Sequence, residues 1–163
     1  AQLGLPPRPF LKETLKIYFD LLEVETDQDV LMCLLYSIGH NNDKLDNEQI
    51  EKICSFINND NNLIKEGLVS ALLGIDNLNA IETLIKLSSD KWSHIRNWAT
   101  FGLGTQIERN NKSIREALWE RVDDKHHETK LEAIVGLAKR KDKRINDIIS
   151  HYRNSRQRVY TFA

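Results

Sequence analysis

Apolar residues recur along most of the chain at spacings of three and four, which is the period of an amphipathic α-helix. The strict alternation of a half-buried strand is missing. The helical pattern itself repeats, in segments that begin at Val30, Ile64, Ile95 and Thr129, 31 to 34 residues apart. Repeats of this length are typical of stacked helical hairpins. We therefore predict an all-α chain with two helices in each period.

The second helix of each hairpin is predicted from capping-box patterns. Asp46, Asn79 and Ser113 are each followed three residues later by Gln or Glu, so the pairs can satisfy free N–H groups at a helix start. In the first helices, Gly102 and Gly136 lie at equivalent positions. A glycine inside a helix costs about 1 kcal/mol relative to alanine, so we expect close helix packing there.

The pattern divides the chain into three parts. Residues 1–24 are predicted to form an extended, proline-rich lead-in and a capping helix; alternatively, this helix is the second of a hairpin whose first half lies outside the sequence. Residues 154–163 lose the period and are expected to form a partly ordered tail. Between them lie four predicted repeats, at about 25–59, 60–89, 90–123 and 124–153.

The third repeat contains the run Asp-x4-Ile-Arg-x2-Ala-x2-Gly-Leu-Gly between Asp90 and Gly104. This run resembles the HEAT repeats of the phycobilisome-lyase-like group. The resemblance implies a right-handed α-solenoid of about four HEAT-like helical hairpins with an N-terminal capping helix, which offers a binding surface. It also implies a ladder of hydrogen bonds and ion pairs between successive turns, through Asp60, Lys65, Asp90, Arg96, Asp124 and Lys130. Nothing in the sequence carries over the bilin-attaching chemistry of the group's lyases.

All three tryptophans fall in the third repeat, mostly where the other repeats have polar residues. Tryptophan and arginine are enriched at binding hot spots, so these positions predict a contact patch; the alternative is that the rings pack over loops or neighbouring helices. We expect the second helices to line a concave face. The candidate partner-binding residues are Trp92, Trp98, Trp119, Arg96, Arg115, Lys86 and Lys52.

The formal net charge of the 163 residues is only -1, but it is unevenly distributed. Residues 1–60 hold 5 basic and 11 acidic side chains, whereas residues 125–163 hold 10 and 4. The basic end, with aromatic residues between its cations, is a second candidate site, for nucleic acid; the alternative is a solvated turn at a helix C-terminus. Its cations are Lys139, Arg140, Lys141, Lys143, Arg144, Arg153, Arg156 and Arg158.

Catalysis is not indicated. No Gly-rich phosphate loop, nucleophile elbow or carboxylate pair is present, and His126 and His127 are too close in sequence to share a metal ion on one helix. A DNA-glycosylase role for Asp123 beside Trp119 has no motif to support it. We expect no metal, cofactor or membrane partner and, with only two cysteines, a cytoplasmic location.

The sequence thus predicts a non-catalytic adaptor that binds an unidentified protein through its repeat surface. The alternative is a nucleic-acid-binding protein that uses the basic C-terminal third. Salt sensitivity separates the two, because phosphate contacts weaken steeply as salt is added.

Overall fold

The computed structural model describes residues 8–150, which are helical without any β-strand. The all-α prediction is therefore confirmed for this part of the chain. Residues 146–150 are also helical. The principal helices are α1 (Leu11–Val24), α2 (Gln28–Gly39), α3 (Asn47–Cys54), α4 (Asn62–Leu72), α5 (Leu78–Leu87), α6 (Ser93–Phe101), α7 (Lys112–Trp119) and α8 (His127–Lys139).

The helices pack in two rows. In the first-helix row, α2 packs on α4, α4 on α6 and α6 on α8; in the second-helix row, α3 packs on α5 and α5 on α7. The rows meet where α3 contacts α4, α5 contacts α6 and α7 contacts α8. Apolar side chains of both rows fill one continuous core, in which Leu35, Ile64, Leu84, Ile95 and Leu118 are fully buried. Burial of this shared face stabilises helices that are too short to be stable alone.

Asparagine and aspartate side chains set where the second-row helices begin. Asp46 and Gln49 form the predicted capping box at α3. The caps of α5 and α7 were predicted two residues too late, because Asn77 and Asn111 accept the free N–H groups there. The sequence predicted a helix in each of these places, but several Asx residues near each start compete for the cap.

The packing of the segment just beyond α6 against α8 needs glycine. Beyond Phe101 the chain continues as a π-helical turn, Gly102–Gln106. A Cβ atom built on Gly136 would lie 2.6 Å from the Cα atom of Gly104, closer than a side chain can approach. The close approach predicted from the glycine spacing is present at this crossing.

Within residues 8–150, no helix is long and apolar enough to cross a membrane.

Candidate partner-binding surface

Two acidic side chains in the loops before α6 and α8 join successive segments of the chain. Lys65 Nζ on α4 lies 2.7 Å from Asp90 Oδ2, and Arg96 on α6 binds both carboxylate oxygens of Asp124 at 2.8 and 2.9 Å. Each acid also accepts a backbone N–H two residues ahead, from Trp92 and from His126. Both acids are therefore held by a helix start and by a cation of the preceding segment.

These contacts stabilise the ionised acids. The hydrogen bond from Arg96 is the largest influence on Asp124 and holds the pKa of its carboxyl below the usual range. Burial raises the pKa of Asp90, but the hydrogen bonds from Lys65 and from the Trp92 N–H outweigh burial and lower the pKa overall. Both carboxylates are thus charged, paired and structural, and their cations are engaged rather than free for a ligand.

The ends of the predicted ladder differ from expectation. Asn59 takes the place predicted for Asp60: its side-chain oxygen accepts from the N–H of Asn61, and it precedes Lys65 by the six residues that separate Asp90 from Arg96. Asp60 is exposed. The sequence motif was aligned one residue off because an amide can make the same turn contact as a carboxylate. At the other end, Lys130 Nζ lies 3.3 Å from Asp123 Oδ1 on the surface.

Two tryptophans are strongly exposed at α6. Trp92, the N-cap residue, is 43% exposed, with Lys91 Nζ 5.6 Å from its ring centroid and the His94 ring 6.3 Å away. Trp98 is 47% exposed and packs edge-on against Phe101, with centroids 5.7 Å apart. Indoles are usually covered, so this exposure is unusual. We call Trp92, His94, Trp98 and Phe101 the α6 aromatic surface.

Trp119 differs from the other two. It is half-buried on α7, in the second-helix row, and the Arg144 guanidinium lies 4.9 Å from its ring centroid. Arg144 also pairs with Glu116 and Asp142, which fix it in place. The structure thus covers Trp119 with a side chain of its own and leaves Trp92 and Trp98 open.

The cations predicted to accompany the tryptophans are mostly engaged within the protein. Lys52 Nζ lies 2.6 Å from Glu23 Oε1, and Arg115 Nε donates to Asn110 Oδ1 at 2.7 Å. Arg96 is held by Asp124. Lys86 is exposed on α5. The candidate surface therefore depends more on aromatic rings of the first-helix row than on cations of the second.

Several cations of the predicted basic patch are also bound to other groups of the protein. Lys139 Nζ binds Glu108 Oε1 at 2.6 Å and the carbonyl oxygen of Thr105 at 3.0 Å. Arg144 is paired as described above. Lys141 and Lys143 are exposed. Arg153, Arg156 and Arg158 lie outside the described residues.

Arg140 corrects the basic-patch prediction most clearly. It is only 6% exposed, and its guanidinium donates to carbonyl oxygens in the π-helical turn beyond α6, in the segment after that turn and on α8. Burial lowers its pKa. The five accepting carbonyls belong to Leu103, Gly104, Ile107, Arg109 and Gly136. Arg140 therefore binds carbonyls at the end of the π-helical turn and just after it, where the helix supplies no further N–H donors, and it presents no charge to a ligand.

A small pocket opens beside the α6 aromatic surface. Its volume is about 180 Å³. At its edge Tyr36 Oη donates to Glu66 Oε1 at 2.9 Å; burial and this hydrogen bond raise the pKa of Tyr36 to about 12. Its lining residues are Tyr36, Glu66, Val69, Ser70, Leu73 and Trp98. The sequence singled out Trp98 but missed Tyr36 and Glu66, because three helices bring these residues together from separate segments.

The described part of the chain shows where the candidates for metal binding, cysteine chemistry and glycosylase chemistry lie. Among residues 8–150, no three His, Cys, Asp or Glu side chains are grouped to hold a metal ion. Burial raises the pKa of the Cys54 thiol, which disfavours the reactive thiolate. Asp123 is exposed and near Lys130, rather than enclosed in an aromatic cleft. His126 caps the start of α8.

Comparison with known proteins gives a partial similarity. The chain is similar to Protein YibA of Escherichia coli strain K12 and of Escherichia coli O157:H7, each 34% identical over 86 residues. The match covers 53% of this chain and 30% of each relative. No protein-family model matches, and no solved structure does. The relatives' name describes no activity, so no function is inferred for this chain from the similarity.

Proposed function

We propose that this chain is a non-catalytic adaptor, a right-handed α-solenoid of HEAT-like helical hairpins that binds a protein partner through its repeat surface. The single observation that carries the proposal is the exposure of Trp92 and Trp98, 43% and 47%, at one helix of the first-helix row. Removing a large aromatic side chain from water is more favourable than for almost any other residue. Such side chains are common anchors of protein interfaces.

The arrangement of the neighbouring helices supports a surface larger than two rings. α8 packs on α6 and exposes Leu131 and Val135, with 40% and 52% of each residue in contact with solvent. Exposed apolar residues on adjacent helices, rimmed by charged side chains, are typical of sites that bind another protein.

Two features support the solenoid part of the proposal. Helices of each row pack on their sequence neighbours, and Lys65–Asp90 and Arg96–Asp124 repeat one inter-segment contact. Repeat proteins are stabilised by such nearest-neighbour contacts. A surface held in this way is preformed, so a partner would bind with little reorganisation and a correspondingly small entropic cost.

The proposal is tested by capture of a partner from the native cell on immobilised protein, followed by mass spectrometry. We expect the Trp92→Ala, Trp98→Ala double variant to lose capture by at least about tenfold, as for loss of a hot spot, with unchanged helical circular dichroism. Leu78→Ala is the matched control, because Leu78 is 59% exposed on α5 of the other row. Full capture by the double variant would contradict the proposal.

The same capture tests the nucleic-acid alternative. If the captured species is DNA or RNA bound through phosphates, raising salt from about 50 to 200 mM weakens it by a factor on the order of 10³. An interface anchored on aromatic rings keeps most of its affinity over that range. The internal pairing of Lys139, Arg140 and Arg144 favours the protein partner.

A further inference from the structure

The pocket between α2, α4 and α6 combines an aromatic wall with a carboxylate. Trp98 and Tyr36 line it, together with the aliphatic side chains of Val69 and Leu73, and Glu66 supplies the negative charge. At about 180 Å³ the pocket is smaller than the roughly 300–1,000 Å³ of sites for cofactors and drug-sized ligands. It is suited to a single side chain.

One carboxylate oxygen of Glu66 accepts a hydrogen bond within the protein, and the other has a neighbouring group only at a longer distance. Oε1 accepts the hydrogen bond from Tyr36 Oη. Oε2 lies 3.9 Å from His94 Nε2, which is beyond hydrogen-bonding distance. The Glu66 side chain is one-third exposed, so an approaching donor can reach it. The hydrogen bond from Tyr36 fixes the carboxylate beside the pocket and leaves an acceptor for a ligand.

We infer that this pocket binds an arginine side chain of the protein partner. A guanidinium can stack flat on the exposed indole of Trp98 and donate to Glu66, whereas a lysine ammonium is more strongly hydrated and stacks less well. An apolar side chain would remove water from the Glu66 carboxylate without replacing its hydrogen bonds, and an acidic one would be repelled. The inference rests on the proposed adaptor function and names the chemistry that its partner presents.

The test uses the whole protein and four capped tripeptides, acetyl-Ala-Xaa-Ala-amide with Xaa as Arg, Lys, Leu or Glu. Binding is followed by NMR at the indole N–H of Trp98, which is identified by its loss in Trp98→Phe. We expect saturable shifts with the Arg peptide, at a dissociation constant on the order of 1 mM for a single anchored side chain. The Lys peptide binds more weakly, and the Leu and Glu peptides leave the signal unchanged.

Two variants test whether the negative charge of Glu66 is the one that binds the Arg peptide. Glu66→Gln can still accept from Tyr36 but lacks the negative charge, so it should weaken the Arg peptide by about tenfold, as for loss of a charge-assisted hydrogen bond. Glu82→Gln removes the same charge from an exposed position on α5 and should bind like the wild type. An absent shift, equal binding of the Leu peptide, preference for the Lys peptide, or an unchanged affinity in Glu66→Gln would each overturn the inference.

The experiments distinguish failure of the arginine-site inference from failure of the proposed adaptor function. The peptides report on the pocket without any partner, whereas the capture experiment does not depend on which side chain of the partner enters the pocket. Capture that persists without Arg-peptide binding would retain the adaptor and remove only the arginine site. Arg-peptide binding without capture of any protein would retain the site chemistry and contradict the adaptor.

Discussion

Arg96 holds Asp124 with two parallel hydrogen bonds, from Nε to Oδ2 at 2.8 Å and from Nη2 to Oδ1 at 2.9 Å. The Asp124 side chain is only 5% exposed, so the pair is largely withdrawn from solvent. It joins α6 to the loop that starts α8. The geometry uses the fork of a guanidinium, which an ammonium lacks.

Arg96→Ala should lower the free energy of unfolding by about 2 kcal/mol, because the buried Asp124 carboxylate loses both hydrogen bonds from Arg96 and keeps only Arg121, 3.7 Å away, as a cation. Arg96→Lys keeps the charge and should recover part of that loss. Urea unfolding with unchanged m-values is the measurement. Arg115→Ala, which removes a half-buried arginine on α7, should cost about 0.5 kcal/mol or less. Equal losses in the two alanine variants would contradict a structural role specific to Arg96.

The free energy of unfolding should decrease at acid pH as the carboxylates of Asp90 and Asp124 become protonated. The pKa of each carboxyl is lower in the folded protein than the usual value, so the folded state binds fewer protons than the unfolded state. Their contribution is complete above the unfolded pKa of about 3.9 and is lost as pH falls through the folded pKa. In Asp124→Asn, stability measured by urea unfolding between about pH 5 and 2 should therefore depend less on pH.

The matched control for acid unfolding is Asp60→Asn, which removes an exposed carboxylate outside the observed ladder. Its pH profile should follow the wild type. A profile flattened as much by Asp60→Asn as by Asp124→Asn would contradict the assignment of Asn59, rather than Asp60, to the ladder position.

Arg140→Lys should destabilise the protein although it keeps the positive charge. Arginine has five donors and serves five carbonyl oxygens here, whereas lysine has three donors on one nitrogen. Buried carbonyls left without a donor cost about 1–3 kcal/mol, and we expect a loss of that order in thermal or urea unfolding. Lys143→Ala, at an exposed position, is the control and should change little. Unchanged stability in Arg140→Lys would show that these contacts contribute nothing specific.

Gly136→Ala should lower stability by about 1–3 kcal/mol, measured by urea unfolding. Alanine favours a helix by about 1 kcal/mol over glycine, but its Cβ would lie 2.6 Å from the backbone of Gly104, which cannot yield as a flexible side chain would. The clash should outweigh the propensity. Val135→Ala, next to it and exposed, should have a small effect. A more stable Gly136→Ala would mean that the π-helical turn and α8 move apart at little cost.

The sequence alone determined where the principal helices lie. Apolar spacing located α2, α4, α6 and α8 to within a few residues, and the capping box at Asp46 marked the start of α3. These features are local: each depends on residues three or four positions apart, which the chain brings together in any helix. The acids Asp90 and Asp124 were also found, because their spacing from the cations recurs along the sequence.

The tertiary structure decided which of those side chains are free. Arg140 and Lys143 look equivalent in a basic run, yet one is buried among carbonyls and the other is exposed. The partner of Lys65 lies 25 positions away along the chain and one partner of Arg140 lies 37 positions away, in segments whose approach depends on packing. The pocket of Tyr36, Glu66 and Trp98 exists only because three helices cross in one place, and no spacing along the chain encodes that crossing.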